Sequence, residues 1–221
     1  MKKVWLITGC STGFGREVAK YVLSQGYRVA VTSRNTDDVQ DIVTGFEETS
    51  IVLPLDVTKP EQIKAAVKAT MSKFGSIDVL VNNAGIGYFA AVEESEDEAV
   101  RNMFEINFFG LTKMIQETLP VMRAQKSGHI LNVSSIGGLV GFPAIGFYNA
   151  TKFAVDGLSE SLAKETVPLG IKVTIIAPSG FRTDWAGRSA NNSAVVIEDY
   201  AKTAGKNTSD IRSYSGNQPG D

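Results

Sequence analysis

The chain has 221 residues, of which 43% are hydrophobic and 21% are charged, and its formal net charge is −2. This size and composition are typical of one globular domain with a buried core. The weak charge argues against nucleic acid or an anionic membrane surface as a partner. The lone Cys10 excludes an internal disulfide and favours a reducing, cytoplasmic compartment. One histidine and one cysteine also predict no metal site.

Short apolar runs alternate with longer amphipathic segments through most of the chain. The runs predict strands at residues 4–8, 28–32, 51–55, 79–82, 129–134 and 172–177. Strands that are apolar on both faces suit a sheet covered on both sides, and parallel strands require crossover helices. The pattern predicts an α/β fold: a doubly wound, Rossmann-like parallel sheet of at least six strands in three layers. One domain over residues 1–221 accounts for the whole pattern.

A glycine-rich turn lies between the first strand and an amphipathic helix. Its glycines let the backbone turn tightly and approach a diphosphate, and the helix that follows offers free N–H groups and the positive end of its dipole. In this strand–turn–helix setting the motif predicts dinucleotide binding. The expected cofactor contacts here are Gly9, Ser11, Thr12, Gly13, Phe14 and Gly15.

The end of the second strand predicts which dinucleotide binds. An acidic residue there usually reads the ribose 2′-hydroxyl, whereas a 2′-phosphate calls for a cation. The strand runs into Ser33 and Arg34 without an acid, and an arginine fork matches a phosphate well. The sequence therefore favours NADP(H). NAD(H) stays possible, because Arg34 could also be a solvated surface residue.

Tyr148 and Lys152 lie one helical turn apart in a stretch with helical periodicity. A free tyrosine has a pKa of about 10, and a neighbouring ammonium favours the phenolate. The strand over 129–134 leads into Ser135, which places a hydroxyl at the carboxyl edge of the sheet, where open α/β folds bind ligands. The small Ala84 and Gly85 follow the preceding strand at that edge and suggest close passage of a ring or ribose.

Together these motifs resemble the short-chain dehydrogenase/reductase family, in the single-domain branch with T-G-x-x-x-G-x-G and Y-x-x-x-K motifs. The likeness covers residues 1 to about 185. The matching positions are Thr8, Gly9, Gly13 and Gly15 in the turn, then Asp56 and Val57, and then Asn82, Asn83, Ala84 and Gly85. The resemblance implies that Asp56 and Val57 contact the adenine and that Asn83, Ala84 and Gly85 line the cofactor site.

The resemblance also implies a catalytic tetrad of Asn107, Ser135, Tyr148 and Lys152. The interval to Tyr148 selects Ser135 rather than Ser134. Tyr148 would be the general acid in reduction and the base in oxidation. Lys152 would lower the pKa of Tyr148 and bind the nicotinamide ribose. Ser135 would polarise the substrate oxygen, and Asn107 would anchor a water chain that carries the proton onward.

The sixth-strand motif departs from the family pattern P-G-x-x-x-T. The chain reads Pro178, Ser179, Gly180 and, three residues later, Thr183. Thr183 is expected to contact the nicotinamide carboxamide, and Pro178 and Gly180 to lie beside the cofactor. If position 179 required a positive φ, Ser179 would be strained there, unless Gly180 takes the turn instead.

Residues 184–221 are expected to form a substrate lid and an incomplete C-terminal tail, with helical character only over 195–204. Family members continue into a further helix and a seventh strand, which are apparently absent. A fragment, missing residues and a shortened protein all stay open as explanations.

The function expected from these features is NADPH-dependent reduction of an apolar or aromatic ketone, in equilibrium with its secondary alcohol. Ser135, Tyr148, Phe142 and Trp185 are the expected substrate contacts. A catalytically silent NADP(H)-binding sensor or scaffold is the alternative. A homodimer is expected through the long helices near 99–125 and 148–168, with no nucleic acid or membrane partner.

Overall fold

The computed structural model describes residues 2–220, and six parallel strands form its main sheet. In chain order these are β1 (Val4–Ile7), β2 (Arg28–Ser33), β3 (Ser50–Pro54), β4 (Val79–Asn82), β6 (Gly128–Val133) and β7 (Ile171–Ile176). Their spatial order is β3-β2-β1-β4-β6-β7. The predicted doubly wound α/β sheet is confirmed, and each predicted strand lies within one or two residues of an observed one.

Helices cover both faces of the sheet. They are α1 (Gly13–Ser24), α2 (Gln40–Val43), α3 (Pro60–Phe74), α4 (Asp97–Phe104), α5 (Leu111–Gln125), α6 (Gly146–Thr166) and α7 (Lys206–Ser213). The helix α3 begins at a proline, whose missing N–H costs nothing at a first turn, and it ends at Gly75 with a left-handed φ of 77°. A π-helical segment, Glu105–Gly110, joins α4 to α5.

Two apolar cores lie on opposite faces of the sheet. One contains Leu6, Leu80 and Ile130 from the strands together with residues of α3, α5 and α6. The other packs α1 and α2 against the opposite side chains of the same strands, such as Ile7 and Val29. Adjacent strand residues therefore point into different cores, which explains the uninterrupted apolar runs in the sequence and gives the three layers.

The strand order reverses between β1 and β4. From β1 the chain proceeds through β2 to β3 on one side, and from β4 through β6 to β7 on the other. The crossover connections leave this point in opposite directions, so a crevice opens at the carboxyl ends of β1 and β4.

The sequence missed a second, two-stranded parallel sheet, formed by β5 (Gly87–Phe89) and β8 (Ala190–Asn192). Strands of three residues with glycine and asparagine carry little intrinsic strand preference, and the tertiary pairing of Gly87 with Ala190 creates them. These additional strands do not extend the main sheet, which has six strands within residues 2–220.

The helical content after residue 195 also exceeds the prediction. A short 3-10 turn, Glu198–Tyr200, and a π-helical turn, Ala201–Gly205, lead into α7. The expectation that only residues 195–204 have helical character is therefore wrong, and α7 lies inside the range expected to be the lid. The α7 sequence is almost wholly polar and packs mainly through Ile211, so no periodic apolar pattern marked it.

Across residues 2–220, none of the helices has both the length and the apolar character that crossing a membrane requires.

Candidate active site

A cavity of about 870 Å³ opens at the crevice between β1 and β4 and extends beneath the C-terminal segment, which we define as residues 184–220. Nearly all sequence-predicted site residues line it. These are Gly9, Ser11, Thr12, Gly13, Phe14, Ser33, Arg34, Asp56, Val57, Asn83, Ala84, Gly85, Ser135, Phe142, Tyr148, Lys152, Pro178, Gly180, Thr183 and Trp185. Gly15 and Asn107 do not line the cavity.

The glycine turn has the geometry that its sequence predicted. Gly9 and Gly13 adopt left-handed φ angles of 69° and 57°, which side chains disfavour. Gly15 is required for a different reason: a Cβ there would overlap both Asn83 Nδ2 and the carbonyl oxygen of Gly9. The turn leads directly into α1, and Gly13 and Phe14 at the start of this helix line the cavity.

Asn83 and Thr8 fasten this turn to the end of β4. Asn83 Nδ2 donates to the carbonyl oxygens of Thr8 and Gly9, at 3.0 and 2.9 Å. Thr8 Oγ1 accepts from the backbone N–H groups of Asn83 and Ala84 at 2.9 and 3.0 Å. The Asn83 side-chain NH2 group thus helps to hold the turn, and Asn83 also lines the cavity.

The cavity wall at the end of β2 contains the residues that the sequence predicts to distinguish NADP(H) from NAD(H). Ser33 is buried at the end of β2, and Arg34 follows it with an exposed side chain at the rim of the cavity. Asp56 also lines the cavity, but its Oδ1 accepts from the N–H and hydroxyl groups of Thr58. That local turn fixes the carboxylate just before α3.

Tyr148, Ser135 and Lys152 converge on the wall of the cavity. Tyr148 lies in the first turn of α6 and is 8% exposed. Ser135 follows β6 and its Oγ accepts from the N–H of Gly137 at 3.0 Å. Burial raises the pKa of Tyr148 to about 12, and a hydrogen bond with Ser135 opposes that rise.

Lys152 lies close to Tyr148, and its expected lowering of the Tyr148 pKa stays a prediction. Its Nζ lies 5.6 Å from the centroid of the Tyr148 ring and donates to the carbonyl oxygen of Val133 at 2.9 Å. Burial lowers the pKa of Lys152 itself to about 8, while the charge of Asp156 opposes the change. Burial is the largest influence on the pKa of each of the two groups.

Asn107 lies in the π-helical segment and is 1% exposed. Its Oδ1 accepts from the N–H of Ile86 at 2.8 Å, and its Nδ2 donates to the carbonyl oxygen of Ile86 at 2.9 Å and to Thr151 Oγ1 at 3.2 Å. A Cβ on Gly85 would lie 3.3 Å from Asn107 Oδ1 and 3.8 Å from Lys152 Nζ. Asn107 therefore stands behind Gly85, close to Lys152.

Residues of the C-terminal segment form part of the cavity wall. The Trp185 ring packs on Tyr148 with centroids 4.9 Å apart and on Phe89 at 5.8 Å.

Thr183 lies beside the glycine turn, where a Cβ on Gly13 would be 3.8 Å from it. Neither Ser179 nor Gly180 has a positive φ, so the serine in this motif is not strained and Gly180 does not have to absorb the turn.

Sequence reasoning missed four lining residues that α7 and its flanks supply. They are Asn207, Ile211, Tyr214 and Gln218. Their positions depend on how the C-terminal segment folds back over the sheet, and no local pattern in the sequence indicates that.

A switch-point cavity with a phosphate-cradling glycine turn at one end and a Tyr–Lys–Ser group at the other defines a dinucleotide-binding α/β oxidoreductase. The residues fit such a cofactor because the left-handed glycines keep side chains out of the turn. The family model for short chain dehydrogenases matches residues 3–194. The chain belongs to this family of NAD(P)-dependent oxidoreductases.

Curated relatives agree with this assignment. Oxidoreductase BOA17 of Botryotinia fuckeliana is 41% identical over 219 residues, covering 99% of this chain and 80% of that protein. A 3-ketodihydrosphingosine reductase of Bacteroides thetaiotaomicron is 40% identical, covering 90% of this chain and 72% of that protein.

Three similar solved structures show the same fold, and two of them hold a nicotinamide cofactor. A short-chain dehydrogenase from Streptomyces avermitilis is 39% identical with a TM-score of 0.92, covering 100% of this chain and 80% of that one. A variant of ElxO with NADPH bound has a TM-score of 0.79 at 36% identity, covering 83% and 76% of the two chains. A Brucella melitensis 3-ketoacyl-(acyl-carrier-protein) reductase complexed with NADH has a TM-score of 0.79 at 33% identity, covering 82% and 76%.

Proposed function

We propose that the protein interconverts a carbonyl group and a secondary alcohol on an apolar or aromatic substrate, with NADPH-dependent ketone reduction as its main direction. One observation carries this proposal. Ser135, Tyr148 and Lys152 line the same cavity as the glycine turn, so a nicotinamide dinucleotide bound along the turn would bring its reactive ring toward the phenol. A bound cofactor of this kind supplies or accepts the hydride.

The chain's own residues would manage the proton and the substrate oxygen. Tyr148, held as a phenol by its raised pKa, is suited to give a proton to the oxygen as reduction proceeds. Ser135 would hold that oxygen by a hydrogen bond. Lys152 would bring positive charge beside the phenolate left behind. Asn107, behind Gly85, would anchor the water that returns a proton from the Lys152 side.

The substrate half of the cavity supports an apolar ketone. Its lining includes Ile136, Phe142, Ile145 and Trp185, and such walls favour an alicyclic, aromatic or lipid-like molecule over a charged metabolite. The 3-ketodihydrosphingosine reductase among the relatives is, by its name, a ketone reductase. The C-terminal segment would act as the lid over this half.

Arg34 supports NADP(H) as the cofactor. It lies at the rim of the cavity beyond β2, where the 2′-position of the adenine ribose would fall. NADPH and NADH each occupy one of the similar structures, so the choice between them depends on the residues of this chain.

Turnover tests the proposal directly. The protein is mixed with NADPH and a panel of aromatic and alicyclic ketones, and the absorbance of the reduced nicotinamide is followed. We expect oxidation of NADPH with at least one ketone, and about a thousandfold lower kcat in Tyr148→Phe because the proton donor is removed. NADPH affinity should change little, since the hydroxyl contributes only part of the cofactor site.

The same measurements separate the enzyme from a silent sensor or scaffold. Measurable NADPH binding without oxidation by any ketone would favour the sensor. A fully active Tyr148→Phe variant would show that the proton comes from elsewhere.

We further propose a cytoplasmic homodimer. Phe109 and Phe153, from the two long helices expected at an interface, are 52% and 48% exposed, and large exposed apolar side chains on neighbouring helices commonly mark a protein contact. Sedimentation velocity would show a dimer if this is right and a monomer if it is not.

A further inference from the structure

We propose that Asp156 is a positioning residue that keeps Lys152 in its charged form and thereby sets the upper limit of the pH range in which the site works. The proposal rests on the function proposed for Lys152. Asp156 does not line the cavity, so its effect would reach the reaction only through its neighbours.

Asp156 lies one helical turn after Lys152 on α6, which places both side chains on the face that packs against the sheet. The two residues are 7% and 6% exposed. A buried carboxylate far from any cation is costly, whereas one that shares its surroundings with an ammonium is partly compensated.

The surroundings of the Asp156 carboxyl group contain few other polar groups. A Cβ on Gly138 would overlap Asp156 Oδ2 and would lie 2.6 Å from Ser134 Oγ, so the absent side chain of Gly138 leaves the space that the carboxyl group and the hydroxyl share. Ser134 favours the charged form of Asp156. The geometry between the Ser134 hydroxyl and the Asp156 carboxyl group is not that of a regular hydrogen bond. Within residues 2–220 neither Asp156 oxygen has another hydrogen-bond partner.

The surroundings of Lys152 contain one anionic side chain, again within the described residues. Its Nζ donates to the carbonyl oxygen of Val133, and the neutral groups of Tyr148, Gly85 and Asn107 lie near it. Asp156 is the charge that acts on it. Glu160, one turn further along α6, is exposed and acts on Asp156 as a like charge.

Each of the two buried charges favours the other. Burial lowers the pKa of Lys152 to about 8, and Asp156 opposes this change. Burial raises the pKa of Asp156, and Ser134 and Lys152 oppose that change. Without the Asp156 charge, burial would act on Lys152 alone, so the ammonium would lose its proton at a lower pH.

The first experiment compares pH profiles of kcat/KM for the wild type and Asp156→Asn, with saturating NADPH. Asparagine nearly preserves the shape of the side chain but removes its charge. We expect the alkaline limb of the profile to move down by about one pH unit. Glu160→Gln is the matched control, because it removes an exposed negative charge from the same helix, and its alkaline limb should stay in place. An unmoved limb in Asp156→Asn, or an equal movement in both variants, would overturn the proposal.

The second experiment requires no turnover. The protein is labelled with ¹³C-lysine, and the Lys152 signal, assigned by its absence in Lys152→Met, is titrated by NMR without cofactor. The Lys152 pKa should fall in Asp156→Asn and stay unchanged in Glu160→Gln. A fall in a protein that reduces no ketone would refute the proposed function but leave the effect of Asp156 on Lys152 standing. An unchanged Lys152 pKa in an active enzyme would refute the effect of Asp156 on Lys152 and leave the proposed function standing.

Discussion

The glycine turn and the C-terminal segment line the same cavity, yet their structures have different origins. In the turn, residues 8–15 are shaped by backbone geometry: left-handed glycines, close backbone approaches and the Asn83 amide hold it against β4. The sequence shows the residue types that impose these constraints, so the shape of the turn could be predicted from it. At Gly9 and Gly15 an added Cβ would come too close to neighbouring atoms.

The C-terminal segment is held by long side chains instead. Ser193 Oγ donates to the carbonyl oxygen of Glu94 at 2.6 Å, the N–H of Ile197 donates to Glu94 Oε1 at 2.8 Å, and Tyr200 donates to Glu93 Oε2 at 2.7 Å. Such contacts join residues about a hundred positions apart in the chain and lie near the surface. The site therefore combines two kinds of wall. The cofactor half is fixed by its backbone, whereas the shape of the substrate half depends on side-chain hydrogen bonds that a single substitution can remove.

Gly15→Ala tests the rigid half and should have the largest effect. The new Cβ would overlap Asn83 Nδ2 and the carbonyl oxygen of Gly9, so the turn must open. We expect loss of about 3 kcal/mol in the free energy of unfolding and at least hundredfold weaker NADPH binding. Chemical denaturation and fluorescence titration with NADPH measure the two effects.

Gly157→Ala provides the control for that variant. Gly157 is exposed within α6, and a Cβ there would meet nothing within 4 Å. Because alanine is the better helix former, this variant should be up to about 1 kcal/mol more stable and bind NADPH normally. A Gly15→Ala protein with wild-type affinity would show that the turn is more adaptable than its packing indicates.

The same contrast explains what the sequence could predict. The main sheet followed from apolar runs such as the one in β4, because strands covered on both faces must be apolar throughout. The turn and the Tyr148–Lys152 spacing followed from local chemistry. In contrast, β5 and β8 form because Gly87 and Ala190 pair across the fold. The raised pKa of Tyr148 depends on Trp185 and other neighbours that bury it. Both features depend on residues far apart in the chain, so no local sequence pattern could predict them.

Arg34→Ala should have an intermediate effect that is confined to one ligand. Arg34 is exposed at the rim of the cofactor half, so its loss should leave the fold intact. We expect NADPH binding to weaken about thirtyfold, in line with loss of a charge-assisted contact to phosphate, while NADH binding changes less than twofold. Isothermal titration with each cofactor, at two salt concentrations, measures this.

Arg101→Ala is the matched control for Arg34→Ala. Arg101 is also exposed and pairs with Asp97 on α4, away from the cavity lining. It should leave both affinities unchanged. Equal weakening of NADPH and NADH in Arg34→Ala would contradict a phosphate-reading role.

Arg212→Gln tests the substrate half and should have the smallest effect. The guanidinium lies 4.9 Å above the Phe89 ring. It donates to the carbonyl oxygens of Ala186, Gly187 and Ala190 and to Asn192 Oδ1. Since Phe89 in turn supports Trp185 against Tyr148, we expect the KM for a ketone to rise about tenfold, equivalent to about 1.4 kcal/mol. The change in kcat should be smaller, and residues 184–200 should be cleaved faster by protease.

The control for Arg212→Gln comes from the same helix. Lys206 pairs with Asp210 within α7 and contacts no other element through that pair, so Lys206→Gln should leave KM and proteolysis unchanged. NADPH affinity should be normal in both variants, because the cofactor half is built independently. If Arg212→Gln weakened NADPH as strongly as it weakened the ketone, the two halves would be mechanically coupled. The separation between a rigid turn and an adjustable covering segment would then be wrong.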